Sequence, residues 1–145
     1  MPTYFCTSPS GRLTTEQKRK IAGEITRIHG EVTGAPSFFA QVIFHEVNPS
    51  DWFIGGSLLT HEHIFIHGHI RAGRPDETRL IKLMAEAVAQ AAQVDSRRAV
   101  WIYVNEQLPR QMIEFGHLLP DPGDEPSWTA ALPPEDRAFM QSIAK

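Results

Sequence analysis

The sequence predicts an α/β (α+β) fold in which tandem β-α-β units form a mostly parallel four-stranded sheet with two helices on one face. Two observations carry this. "SGRLTTEQKRKIA" from Ser10 and "AGRPDETRLIKLMA" from Ala72 share a Gly-Arg pair followed by a helix-start signal. Strand-like segments flank both: "PTYFCTS" and "FFAQVIFHEV" around the first, "HIFIHGHI" and "AVWIYVNEQ" around the second. A βαβ unit therefore recurs after roughly 60 residues. The 145 residues suit one domain, with halves at about 2–47 and 62–107 and a C-terminal extension from about 108.

In the first helix, Thr14 with Gln17 three residues later makes a capping box, in which hydroxyl and amide satisfy free backbone groups. Ile21, Ile25, Ile28 and Val32 recur at helical spacing as a buried stripe, and Gly34 offers a left-handed stop. The second helix has Pro75 and Asp76 at its start and Leu80, Leu83, Met84, Ala87, Val88 and Ala91 on one side. The strand after the first helix is apolar on both faces, Phe39, Ile43 and Val47 on one and Ala40, Val42 and Phe44 on the other, and "AVWIYV" is alike. Strands of that kind are covered on both sides. Right-handed crossovers put both helices on one side of the sheet, so the second face calls for another subunit. The tail after Pro120 is turn-rich before a short final helix at Glu135–Ile143, and it is expected to pack on the same domain.

A formal net charge of −3 and the absence of a long basic run give no footprint for nucleic acid or an anionic membrane. The single Cys6 excludes an internal disulfide framework and a multi-cysteine zinc site, which suits a reducing compartment. No stretch has the ~18–20 apolar residues of a membrane span, and no basic-then-apolar signal opens the chain. These features predict a cytoplasmic protein.

The chemistry begins at Pro2. Removal of Met1 turns its ring nitrogen into a secondary amine, and an α-amino group titrates near ~7.7–8.0, within the range useful to a general acid or base. Arg71 and Arg74 flank "AG" and suit a two-armed grip on a small carboxylate; the alternative is a solvated basic loop. His29 shares a four-residue row with Ile21 and Ile25, so it borders the buried stripe, either facing a pocket or packed with one hydrogen bond. Glu114 suits a general base for water and Tyr103 a group that fixes that water; the alternatives are a surface carboxylate and a strand aromatic. His61, His63, His67 and His69 share one face of a two-residue repeat with Phe65 between them, which raises a metal reading. A metal site also needs ligands converging from elsewhere, and the sequence offers none by name, so these imidazoles are expected to line an interface or make hydrogen bonds. No metal or other cofactor is expected.

Pro2, His29 in "ITRIHGEVTG", "FAQVIF", "HGHIRAGR" with Arg71 and Arg74, "WIYV" with Tyr103, "QMIEFG" with Glu114, and "DRAFM" together resemble the cis-3-chloroacrylic acid dehalogenase family of the tautomerase superfamily. The resemblance runs from Pro2 to about Met140. It implies a tautomerase-like fold, a homotrimer about a central axis and active sites near subunit interfaces. It also implies that Pro2 donates a proton, that Arg71 and Arg74 hold the substrate carboxylate with help from His29, and that Tyr103 and Glu114 activate water. The family pattern has Tyr-Gly-Arg after the glutamate, where this chain has Phe115, Gly116 and His117. "GAPSFF", with Ala35 and Phe39, falls where relatives vary near the pocket. Three functions follow as expectations: cofactor-independent hydration and dehalogenation of cis-3-haloacrylate-like short unsaturated acids; tautomerisation of 2-oxo acids such as phenylpyruvate; or a non-catalytic binding protein on the same scaffold.

Overall fold

Strand β1 (Thr3–Pro9) turns Tyr4, Cys6 and Ser8 inward and Thr3, Phe5 and Thr7 outward, the period of two that a sheet covered by helices on one face imposes. The computed structural model describes residues 2–36, 40–73 and 76–143. After β1 come α1 (Thr15–Thr33), β2 (Gln41–Val47), the short strands β3 (Phe53–Ile54) and β4 (Ser57–Leu58), β5 (Ile64–Arg71) and α2 (Glu77–Ala92). The chain continues through α3 (Ser96–Ala99), β6 (Val100–Gln107), the short strands β7 (Ile113–Glu114) and β8 (His117–Leu118), α4 (Glu125–Ala131) and α5 (Pro134–Ile143). The main sheet has the order β2-β1-β5-β6; β1/β2 and β5/β6 are parallel, and an antiparallel β1/β5 seam joins the halves. This is the expected tandem βαβ sheet.

The capping box is formed, with the Gln17 backbone N–H donating to Thr14 Oγ1 at 3.1 Å and the Thr14 backbone N–H donating to Gln17 Oε1 at 3.0 Å. Gly34 ends α1 at φ 71°, its N–H bonded to the Gly30 carbonyl at 2.9 Å. Helix α2 is capped by the Asp76 side chain, which accepts from the Arg79 N–H. Pro75 and Phe39 lie outside the described residues. Ile21, Ile25 and Ile28 of α1 and Leu80, Met84 and Val88 of α2 cluster with Tyr4, Cys6, Ile64, Ile66 and Ile70 of the sheet, so both helices cover one face. Leu83, expected on the buried side of α2, is instead exposed, and Ala87 is half-buried; the stripe through 80, 84 and 88 leaves them at its margin.

The opposite face carries Phe5, Ile43, Phe65, His67, His69, Trp101 and Tyr103, and within one chain it is open, Trp101 and Tyr103 being 42% and 56% exposed. Its rings form a run: Phe5 lies 5.4 Å from His45 and 6.2 Å from His69, His69 lies 4.6 Å from His67, and Phe65 meets Tyr103 edge-on at 5.1 Å.

Three features went unforeseen, the first being the one-turn helix α3 ahead of β6. After β2 and again after β6, a proline (Pro49, Pro109) opens a short 3₁₀ turn that leads into a two-residue hairpin, β3–β4 and β7–β8, so the repeat extends beyond each βαβ unit. The tail also holds α4 as well as the expected last helix. Among the described residues, no helix is long and apolar enough to cross a membrane.

At the seam, Tyr4 pairs with Gly68 across β1 and β5. A Cβ at Gly68 would stand 2.6 Å from Tyr4 Cε1, so glycine is required here for close approach rather than for a turn. Gly68→Ala is expected to destabilise the fold by about 1–3 kcal/mol, the usual size of an overpacking strain, read as a lower midpoint in urea unfolding. An unchanged midpoint would show that the ring can move aside.

Candidate active site

Because β1 and β5 run antiparallel with Thr3 opposite His69, the start of β1 and the end of β5 lie at one end of the sheet, the edge formed by strand termini, and the register continued by one residue puts Pro2 opposite Ile70, which precedes Arg71. Helix α1 returns from the far end of β1 and delivers His29 and Thr33 to the same edge, while α2 departs from it; Glu31 and Arg79 pair across the two helix ends at 3.5 Å. Pro2 is buried, and its carbonyl accepts from the Gln41 N–H at 2.9 Å, which ties the chain start to β2.

His29 is buried, with Nδ1 2.8 Å from the Tyr4 hydroxyl. Tyr4 lies on the same side of β1 as Pro2, so the pair fixes the imidazole beneath the chain start. Burial pushes the Tyr4 phenol well above its ordinary value, so it stays a neutral hydroxyl at His29. The Thr33 hydroxyl donates to the His29 carbonyl at 2.7 Å and accepts from the Ala35 N–H at 3.2 Å, closing the last turn of α1.

Arg71 is only 11% exposed at the end of β5; Nη1 donates to the Pro120 carbonyl at 2.8 Å and Nη2 pairs with Glu125. The Gly73 N–H donates to Glu106 Oε1 at 3.2 Å, so two carboxylates bracket the turn after β5. Arg74 lies outside the described residues. Glu114 sits in β7 opposite His117 of β8, with Oε2 shielded from solvent.

Tyr103 is not brought to this edge within one chain. It pairs with His67 on the open face, three residues back along β6 and two strands away from β1, about 14 Å from Pro2 at ~3.3 Å per residue and ~4.8 Å per strand.

The hairpin carrying Glu114 turns through Phe115 and Gly116 at φ 53° and 84°, where the first-half hairpin uses Gly55 and Gly56 at 61° and 79°. A left-handed phenylalanine costs roughly 1–2 kcal/mol that glycine does not. Its ring lies 6.0 Å from Phe139 of α5, His117 Nε2 lies 2.8 Å from Asp136, and the Trp128 indole N–H donates to the Leu118 carbonyl at 2.9 Å. Phe115 and His117 therefore both meet the tail. Composition and spacing gave no sign of this, because the tail reads as turns and one short helix.

The histidine stripe divides. His67 and His69 belong to the ring run on the open face, while His63 is buried edge-on between Trp52 at 5.2 Å and Trp101 at 4.8 Å. Burial, with the neighbouring His61, lowers the His63 pKa and favours neutral imidazole. Among the described residues, no group of three or more His, Cys, Asp or Glu side chains is arranged to hold a metal ion. An open cleft of 790 Å³ bounded by Thr60, His61, Arg98 and Trp101 lies at the other end of β5 and β6, away from Pro2.

The doubled βαβ sheet is the architecture of the tautomerase superfamily. The family model Tautomerase_3, described as "Putative oxalocrotonate tautomerase enzyme", matches residues 1–131. N1, a member of the cis-3-chloroacrylic acid dehalogenase family, has a crystal structure matching with a TM-score of 0.91 at 32% identity, over 97% of this chain and 99% of its own. The native Ps01740 structure is 30% identical with a TM-score of 0.71, over 77% of this chain and 99% of its own. A fused 4-OT solved as an asymmetric trimer is 19% identical with a TM-score of 0.73, over 80% of this chain and 94% of its own, and shares the fold. The chain belongs to the tautomerase superfamily and, within it, to the cis-3-chloroacrylic acid dehalogenase family.

Phe115→Gly removes the backbone strain and the Phe139 contact together. Unfolding stability is expected to change by less than about 1 kcal/mol, because an aromatic pair contributes ~0.5–1.5 kcal/mol against a strain of similar size. Amide exchange over α5 is expected to quicken; unchanged exchange there would show that Phe115 does not hold the tail.

Proposed function

We propose that this protein is a cofactor-independent hydratase and hydrolytic dehalogenase of cis-3-haloacrylate-like short unsaturated acids, with Pro2 as its acid. The observation that carries the reading is the burial of Pro2 at a sheet edge it shares with Arg71 and with the Tyr4–His29 pair. Arg71 and Arg74 hold the substrate carboxylate, His29 assists, and the arginines draw electron density toward that end. Glu114 takes a proton from water, whose oxygen adds to the halogen-bearing carbon, while protonated Pro2 delivers a proton to the carbon next to the carboxylate. The halohydrin so formed expels halide and loses its hydroxyl proton, leaving malonate semialdehyde.

Tyr103 sits on the open face, which suits a role at the site of a neighbouring copy. A homotrimer across that face covers the exposed aromatics and supplies Tyr103 in trans, and a reducing, cytoplasmic setting fits the single buried Cys6. The description of the matching family model favours a second reading, in which neutral Pro2 moves a proton between the enol and keto forms of a 2-oxo acid such as phenylpyruvate. A binding protein that keeps the scaffold without turnover is the remaining alternative.

The test compares specificity constants for cis- and trans-3-chloroacrylate and for phenylpyruvate enol, on protein whose intact mass shows that it begins at Pro2. Glu114→Gln is expected to lose roughly 10² to 10⁴ in hydration, the worth of a positioned base, and far less in tautomerisation. Pro2→Ala is expected to harm both. Intact hydration in Glu114→Gln, or fast tautomerisation with no hydration in the parent, decides for the tautomerase; no turnover of any of these acids decides for the binding protein.

Light scattering is expected to report a trimer at low micromolar concentration. A stable monomer would contradict the burial of the open face.

A further inference from the structure

The segment after β8 crosses the end of β5. Arg71 Nη1 donates to the Pro120 carbonyl at 2.8 Å, and a Cβ on Gly73 would come within 3.2 Å of Pro122 Cγ. Among the described residues, the Glu125 carboxylate accepts from Arg71 Nη2 on Oε1 and from the Gly123 N–H on Oε2 at 2.8 Å. The ion pair is largely buried, its side chains being 11% and 17% exposed. The arginine that a substrate acid would seek is already facing a carboxylate.

We infer that Glu125 is a specificity-determining residue: an internal carboxylate that neutralises Arg71 and so limits how strongly the site prefers a charged acid over a neutral molecule of the same shape. The inference rests on the proposed role of Arg71 as substrate anchor. Burial works against the charged form of Glu125, but hydrogen bonds from its own amide, from Arg71 and from Gly123 outweigh it and hold the pKa below the usual value. Glu125 is accordingly ionised at neutral pH. Two of the five guanidinium N–H donors are committed, to Glu125 and to the Pro120 carbonyl, and the others are left to a substrate carboxylate that must share a positive charge already countered. Replacing Glu125 by glutamine keeps an acceptor oxygen for Arg71, so the guanidinium stays oriented while the competing charge is removed.

The probes are propionate and its neutral amide, propionamide, titrated by NMR into the native protein and into Glu125→Gln, Glu125→Ala and Arg71→Ala. In the native protein the two are expected to bind within about tenfold of each other. In Glu125→Gln propionate is expected to tighten by about tenfold, the effect of removing one partly screened unit charge a few ångströms away, with propionamide unchanged. A purely structural role for Glu125 would instead weaken both probes equally. That result, or unchanged propionate affinity, overturns the inference.

Should Glu125→Gln not fold, Glu125→Ala is read in the same way, and a native preference for propionate beyond tenfold overturns the inference without any variant. Arg71→Ala separates the two levels. If it leaves propionate binding unchanged, the anchor reading itself fails; if it weakens propionate while Glu125→Gln fails to strengthen it, only the role of Glu125 falls.

Discussion

The antiparallel pairing of β1 with β5 is the constraint on which the rest of the molecule depends. Each βαβ half alone has two strands and one helix, too little to bury a core. Pairing β1 with β5 makes one sheet of four strands, sets α1 and α2 side by side, and lays the Tyr4 ring against Gly68. Because the pairing is antiparallel, the start of one half meets the end of the leading strand of the other. An arginine near residue 70 thereby becomes the neighbour of residue 2, and a tyrosine in the core becomes the support of a histidine.

The tail is the second organiser. It touches the sheet edge through Arg71 and the β7–β8 hairpin through Phe115, His117 and Leu118. The arginine at the strand end and the carboxylate of Glu114 are thus referred to the same piece of chain, although neither lies in it. Their relative position is set by side-chain contacts from α4, α5 and the turn before them, on top of the register of the main sheet.

Much of the fold was legible because periodicity and capping are local. Thr14 with Gln17 and the row Ile21, Ile25, Ile28 declare α1 without knowledge of anything distant. The two hairpins were missed because strands of two residues have no period to read. Leu83 was misplaced because helical spacing alone does not say how wide the buried stripe is. For the candidate site, the residue types and the family resemblance nominated Pro2, His29, Arg71, Arg74, Tyr103 and Glu114, but not the contacts their side chains make. That Tyr4 bonds His29, or that Glu125 faces Arg71 from 54 residues away, depends on long-range pairing that no local pattern encodes.

The contrast between the two hairpins has a bearing on how such a protein can change over generations. The first turns through two glycines, which take left-handed φ without strain. The second turns through a phenylalanine and a glycine, and the ring of that phenylalanine meets Phe139 near the end of the chain. Drift in α5, which meets the second hairpin through Phe139 and Asp136, can therefore be felt at Glu114. The tail gives evolution a remote adjustment of the site, one that leaves the residues at the sheet edge untouched.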